Sequence, residues 1–317
     1  MRLAILDDYQ NVSRSLADWS RLPDEVDVTV FNDTVLDEEA LAARLAPFEI
    51  LCVMRERTPV AASLIARLPR LRLIVTTGKR NDSIDVSAAA AQGITVCGTE
   101  SPGHATAELT MGLVLALARR IVFENRSVRE GGWQLGLGRD LRGATLGVIG
   151  LGRLGGQVAT LAQAFGMRVI AWSTNLTDVR CTELGVGRSP SLGALLADSD
   201  FASIHLRLSD RTRGLIGAKE LALMKPDAAL INASRGPIVD WRALLSALEA
   251  GRPGSAALDV FDVEPLPLDH PLRASDRLLL TPHVGYVTRE TYQVFYPQTV
   301  DAVLAWLEGK PVRVIAS

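Results

Sequence analysis

Three short segments in the second half of this 317-residue chain each place a reactive side chain just past an apolar run: Asn232-Ala-Ser-Arg235-Gly236, Asp259-Val-Phe-Asp-Val-Glu264-Pro265 and Thr281-Pro-His283-Val-Gly285. An arginine, a carboxylate and an imidazole suit reduction of a 2-keto acid. That reaction needs a cation for the carboxylate, polarisation of the carbonyl, and a proton donor for the developing alkoxide. The fork of Arg235 can meet the first two needs. His283 can give the proton, since histidine titrates nearest neutrality, and Glu264 would fix its tautomer and favour the imidazolium. Taken singly, each has an ordinary explanation: a loop arginine, a solvated turn carboxylate, a loop histidine. What favours chemistry is that all three fall past the carboxyl ends of strands in one sheet, where open α/β folds bind ligands. Of the other histidines, His104 opens a helix, His270 sits in a proline-rich loop, and His205 ends a strand where it would shape a cofactor rim.

The hydride source is sought upstream, in Gly150-Leu-Gly152-Arg153-Leu154-Gly155. With 26 glycines in 317 residues the pattern alone arises by chance in roughly one such chain in six. Its context is what counts. The apolar run Leu146–Ile149 precedes it, and Leu154, Val158, Leu161, Ala162 and Phe165 follow at helical spacing, so it reads as strand, phosphate turn and helix. Gly150 serves the tight bend, Gly152 the approach of the pyrophosphate, and Gly155 the packing of helix on strand, with Arg153 and Leu154 opening the helix. The next strand ends in Ser173, Thr174 and Asn175, where an acidic residue would hold a ribose 2′-hydroxyl and repel a 2′-phosphate. None is present, which places NADP ahead of NAD. Arg180 lies several residues further on, so both cofactors stay open. Later strand ends, at His205, Leu206 and Arg207, at Ala233 and Arg235, and at His283 and Gly285, are expected to complete the cofactor rim.

Positioning these groups takes two α/β blocks. The first hundred residues alternate β-rich runs (Leu3–Leu6, Val26–Val30, Ile50–Met54, Leu73–Thr76, Thr95–Cys97) with helical stretches such as Glu38–Leu45 and Ala61–Leu68. One long helix, roughly Thr106 to Arg126, then leads to a second block with six strands: Leu146–Ile149, Arg168–Trp172, Phe201–His205, Ala228–Asn232, Ala256–Val260 and Leu278–Leu280. Six is the doubly wound dinucleotide-binding count. A helix over about Thr291 to Leu307 and an extended tail, Pro311 to Ile315, are expected to pack back on the first block.

Composition limits the partners. Apolar residues make up 48% of the chain and the formal net charge is -2, without long runs of like charge, so a small soluble substrate is expected and neither nucleic acid nor a membrane surface is. Cys52, Cys97 and Cys181 lack metal-ligand spacing; no metal is expected, and a reducing compartment is. The start, Met-Arg-Leu-Ala-Ile-Leu, reads as a strand rather than a secretion signal, and the apolar stretch from Ala105 to Ala118 is too short to span a bilayer, so a cytoplasmic location is expected.

Across nearly its whole length the chain resembles the D-isomer-specific 2-hydroxyacid dehydrogenases, a group that includes phosphoglycerate dehydrogenases and hydroxypyruvate or glyoxylate reductases. The resemblance is carried by residues 141–155, by Asn232-Ala-Ser-Arg-Gly-Pro-Ile-Val-Asp240, by Ala257-Leu-Asp-Val-Phe-Asp-Val-Glu-Pro265 and by Thr281-Pro-His-Val-Gly285. It implies that Arg235 binds the substrate carboxylate, that Glu264 and His283 form the acid-base pair, and that Asp259 contacts the nicotinamide amide. It also implies a Rossmann dinucleotide-binding domain (99–285), a discontinuous flavodoxin-like substrate domain (1–98 and 286–317), and a homodimer through the cofactor domains.

The departures bear on substrate. Thr77-Gly78-Lys79-Arg80 stands where the family usually has Gly-x-Gly, Arg207 replaces a usual proline, and Tyr286 is bulkier than the usual residue. With Arg55 and Arg57 at another strand end, these cations suggest a keto acid with a second anionic group, contacted by Arg55, Arg57, Gly78, Lys79, Arg80, Arg235 and Tyr286. Solvated arginines in an arginine-rich chain are the plainer explanation. Two other functions share the architecture: a formate dehydrogenase, which by resemblance carries glutamine where Glu264 stands, and a dinucleotide-sensing corepressor-like scaffold.

Overall fold

The structure, a computed structural model, describes residues 1–316. It separates into two compact units, Met1–Pro102 with the chain from Val287 onward, and Gly103–Tyr286. The first break falls after residue 102 rather than 98. Gly98 N–H donates to the Arg313 carbonyl at 2.9 Å, Thr99 N–H to the Gly78 carbonyl at 3.0 Å and Glu100 N–H to Gln298 Oε1 at 2.7 Å, and these bonds keep residues 98–100 in the first unit.

The first unit is built on five parallel strands, β1 (Arg2–Ile5), β2 (Asp27–Val30), β3 (Ile50–Val53), β4 (Leu73–Thr76) and β5 (Thr95–Cys97), in the order β2-β1-β3-β4-β5. That is the flavodoxin-like order. Strands β3 and β4, Ile-Leu-Cys-Val and Leu-Ile-Val-Thr, are buried at every residue, as a sheet covered on both faces demands. The tail joins this unit: Val314 bridges Cys97 antiparallel, and Ile315 N–H reaches the Val96 carbonyl at 2.8 Å. The helix Arg289–Leu307 is capped by the Thr288 side chain on the amide of Thr291, and it buries Tyr292, Phe295, Tyr296 and Val300.

The second unit has seven parallel strands, one more than expected. They are β6 (Thr145–Ile149), β7 (Arg168–Trp172), β8 (Gly187–Arg188), β9 (Phe201–Ile204), β10 (Ala229–Asn232), β11 (Ser255–Leu258) and β12 (Leu278–Leu280), ordered β12-β11-β10-β9-β6-β7-β8. The chain reverses direction across the sheet between β6 and β9, which is the doubly wound switch point. Alternate residues feed opposite faces. Val148 and Ile231 join one core with Met111, Val114 and Val158, whereas Ile149 and Leu230 join the other with Leu195, Leu244 and Leu248.

The long helix is two helices, Ala105–Ala118 and Ile121–Arg129. Arg120 between them is left-handed, φ +53°, and its own N–H closes on the Leu117 carbonyl at 3.2 Å. Neither glycine nor proline marks the break. Among the described residues no helix is long and apolar enough to cross a membrane.

Candidate active site

The carboxyl end of β10 carries the arginine loop. Asn232 is fully buried, its Nδ2 donating to the Arg235 carbonyl at 2.9 Å and its Oδ1 accepting from Ser234 N–H at 3.1 Å. One side chain therefore shapes the turn that presents Arg235. The Ser234 hydroxyl donates to the Leu206 carbonyl, tying the turn to the end of β9, and Arg235 Nη1 donates to the Ser234 carbonyl at 2.8 Å. A Cβ on Gly236 would stand 2.2 Å from the carbonyl carbon of Phe261. Only glycine lets the arginine loop and the carboxylate loop touch through their backbones.

Glu264 sits on that second loop, past β11. Its Oε1 accepts from Phe261 N–H at 2.8 Å and its Oε2 lies 2.5 Å from His283 Nδ1, with both side chains partly buried. His283 itself is left-handed, φ +52°, a conformation non-glycine residues hold only when their surroundings impose it. Asp259 is what imposes it. Its fully buried carboxylate accepts from Thr281 Oγ1 at 2.6 Å, Val284 N–H at 2.8 Å and Gly285 N–H at 2.9 Å, clamping the loop on both sides of the imidazole. Burial pushes the Asp259 carboxyl above its ordinary range, and these hydrogen bonds oppose the rise. The sequence points to Asp259 as a site residue but does not reveal this clamp on the His283 loop.

The glycine turn is built as a dinucleotide fold requires. Gly150 has φ +102°, and a Cβ on Gly155 would lie 2.0 Å from the Gly150 carbonyl oxygen, so neither position accepts a side chain. At Gly152, which caps the helix Arg153–Ala164, none of the described residues beyond its chain neighbours comes within 4 Å of where a Cβ would be, leaving the space before the helix open. Arg153 Nη1 donates to the Gly103 carbonyl at 2.8 Å. A cavity of about 430 Å³ opens past β7 and β9, with Ser173, Thr174 and Asn175 on one side and Leu206 and Arg207 on the other. Strained glycines, open space and cavity together fit a pyridine dinucleotide. His205 does not compete as proton donor: desolvation pulls its pKa down to about 4, and its Nε2 lies 2.9 Å from Ser203 Oγ.

Residues 111–285 match the model of the D-isomer specific 2-hydroxyacid dehydrogenase NAD binding domain. The chain belongs to that family. It is an NAD(P)-dependent oxidoreductase acting on CH–OH donors, a D-2-hydroxyacid dehydrogenase working on 2-keto acids. It is 43% identical over 263 residues to a glyoxylate reductase of Aeropyrum pernix, a match covering 79% of this chain and 78% of that enzyme. It is 39% identical over 280 residues to a D-3-phosphoglycerate dehydrogenase of Methanocaldococcus jannaschii, covering 87% of this chain but only 53% of that longer enzyme. A phosphoglycerate oxidoreductase from Vibrio cholerae superposes with a TM-score of 0.91 at 39% identity, covering 98% of this chain and 99% of that one.

The remaining residues singled out in this dehydrogenase fall in different settings. Tyr286 sets its ring edge-on to His283, with centroids 5.7 Å apart. In the first unit Arg55 is left-handed, φ +53°, and lies against Gly78 so closely that a Cβ there would meet its guanidinium at 1.8 Å. Buried Asn81 sets this up, donating to the Arg55 carbonyl at 2.5 Å and to Thr76 Oγ1 at 2.9 Å. Arg57, 9% exposed, donates to the Asp7 carbonyl at 2.9 Å and covers the Tyr9 ring, so it serves the interior of its own unit. Lys79 pairs with Glu100 at 2.6 Å on the surface, and Arg80 is exposed.

Proposed function

We propose that the enzyme reduces a short 2-keto acid such as glyoxylate or hydroxypyruvate, with Arg235, Glu264 and His283 as its working groups. The observation that carries the reading is the 2.5 Å contact between Glu264 Oε2 and His283 Nδ1. With Nδ1 committed to the carboxylate, Nε2 is the nitrogen that gives its proton to the carbonyl oxygen. The Glu264 carboxylate holds the ring in the orientation that presents Nε2 to the substrate. Arg235 holds the substrate carboxylate through its fork and draws charge from the carbonyl. A bound nicotinamide supplies the hydride. Asp259, whose oxygens hold the His283 loop, orients the donor. A formate oxidation or a scaffold role would leave the Glu264–His283 pair without work.

Three finer points belong to the same proposal. NADP is preferred over NAD, because Ser173, Thr174 and Asn175 follow β7 with no carboxylate among them. Among the first-unit residues, Arg55 with Gly78 are the proposed substrate contacts, since Asn81 holds the Arg55 backbone and its guanidinium lies against Gly78, whereas Arg57 serves the interior. The enzyme is a cytoplasmic homodimer: the three cysteines are unpaired and buried, and the helix Ile121–Arg129 with the segment after it exposes Ile121, Val122, Val128, Trp133, Leu135 and Leu137.

Purified enzyme with NADPH or NADH and a panel of keto acids tests this directly. Glyoxylate, hydroxypyruvate, pyruvate and a dicarboxylic 2-keto acid are offered, with formate and oxidised cofactor as the contrast. Consumption of reduced cofactor with at least one keto acid is expected. Cofactor binding without turnover of any of them would sink the proposal.

A further inference from the structure

The cation expected for a 2′-phosphate is sought in the sequence just after β7, where Arg180 is the nearest. The structure disqualifies Arg180: its Nε donates to the Leu151 carbonyl at 3.3 Å and its Nη1 pairs with Glu183 at 3.1 Å. A different arginine reaches the same cavity from the next strand. Past β9 the chain folds into a compact turn. Thr212 Oγ1 accepts from Ser209 N–H at 2.8 Å and donates to the Arg207 carbonyl at 2.7 Å, and Thr212 N–H and Arg213 N–H both donate to the Ser209 carbonyl at 2.9 Å. Arg211 stands on this turn. It lines the cavity together with Ser173, Thr174 and Asn175 from the end of β7, and with Arg207 and Ser209.

Charge and bonding both mark the position. Among the described residues no aspartate or glutamate lines the cavity, and Arg211 stands on its rim. Arg44, Arg126, Arg139, Arg168 and Arg188, exposed to various degrees, each pair with an acidic side chain. Arg211 makes no hydrogen bond or ion pair among the described residues. A held turn thus delivers an uncommitted fork to a rim of hydroxyl and amide groups.

We infer that Arg211 is the residue that reads the cofactor's 2′-phosphate. The ligand class is a ribose phosphomonoester dianion. The guanidinium takes two of its oxygens, while the Ser173 and Thr174 hydroxyls offer donors from the opposite rim. Specificity for the phosphorylated dinucleotide then resides on the β9 turn and not in the residues after β7 alone. The inference rests on the NADP preference proposed above and names the residue responsible for it.

Direct binding separates the two statements. NADPH and NADH are titrated into the wild-type enzyme, R211A and R180A, following nicotinamide fluorescence, with 2′-phospho-ADP-ribose and ADP-ribose as competitors that lack the nicotinamide. R211A is expected to weaken NADPH and 2′-phospho-ADP-ribose by about tenfold or more, as loss of a charged hydrogen-bond pair does, and to leave NADH within about twofold. R180A should leave the ratio unchanged. Intact NADH binding also shows that R211A is folded. A wild-type enzyme that binds NADPH no more tightly than NADH defeats the cofactor preference and the assignment with it. A wild-type preference that survives R211A, or equal weakening of both cofactors, defeats the assignment alone.

Discussion

Glu264 gives one carboxylate oxygen to its own loop, at 2.8 Å from Phe261 N–H, and the other to His283 Nδ1 at 2.5 Å. The carboxylate is fixed before it meets the ring, so its charge acts on the imidazole from a set position. Replacing it by the isosteric amide keeps the shape and removes the charge. For Glu264→Gln, kcat for reduction of the keto acid should fall by roughly tenfold or more, because an amide does not hold the imidazole in the same tautomer and orientation. Steady-state kinetics alongside a cofactor titration reads this. An unchanged kcat would show that the carboxylate does not position the donor.

Removing the donor is the harsher change. For His283→Ala, kcat for reduction should drop by roughly 10²- to 10⁴-fold, the usual worth of a placed general acid, while the NADPH Kd changes by about twofold at most. Stopped-flow reduction alongside a cofactor titration distinguishes the two effects. Turnover close to wild type would remove His283 from the chemistry.

Gly236 links the arginine and carboxylate loops by contact alone. In Gly236→Ala the new methyl would meet backbone atoms of Phe261 and Asp262, at 2.2 to 2.6 Å, and backbone cannot step aside as a flexible side chain does. One loop must shift, at a cost of about 1–3 kcal/mol. The expected result is a lower unfolding temperature together with a loss of kcat/KM, since Arg235 and Glu264 ride on the displaced segments. A variant with unchanged melting and kinetics would mean that the loops accommodate more than their spacing allows.

How far such features could be read in advance depended on whether they were local. Strands β4, β5, β7 and β12 and the helix Glu38–Leu45 run between the residues expected of them, because continuous apolar runs or a capped amphipathic stretch define them without help from the rest of the chain. The two-residue β8 was invisible: Gly187 and Arg188 are exposed, and only their pairing with Ile170 and Ala171 makes them a strand. The break at Arg120 lacked a signal for the opposite reason, as arginine is an ordinary helix former and tertiary context sets its φ. At the site, residue types and spacing singled out Arg235, Glu264 and His283. The clamp of Asp259 on the His283 loop joins residues more than twenty apart in the chain, and the arrival of Arg211 beside Ser173 joins two strand ends. Neither relation is written in any one segment.

The helix Ile121–Arg129 and the exposed segment after it lead to a prediction about assembly. Trp133 is 74% exposed and Leu137 95%, yet the segment is held: Glu124 accepts from Gly136 N–H at 3.0 Å, and a Cβ on Gly136 would stand 2.7 Å from Arg120 Nε. An ordered apolar surface of this kind is what a permanent partner covers. The wild type should sediment as a dimer, and Trp133→Ser with Leu137→Ser should shift it toward monomer. A wild type that is monomeric at micromolar concentration would leave the exposed segment without this purpose.

His205 predicts how the fold responds to acid. Its folded pKa, about 4, lies below the 6.5 of an unfolded histidine, so between those values the unfolded chain binds the extra proton and the folded one does not. Stability from the neutral ring is therefore complete above pH 6.5 and declines as the pH falls toward 4, with a total swing of about 3 kcal/mol. His205→Gln keeps a polar group near Ser203 without the titration. Denaturant midpoints at neutral and acid pH should therefore fall further in the wild type than in the variant, once the loss common to both is subtracted. Equal losses would mean that the ring is solvated enough to take a proton in the folded state, and His205 would then re-enter contention as an acid near the cofactor.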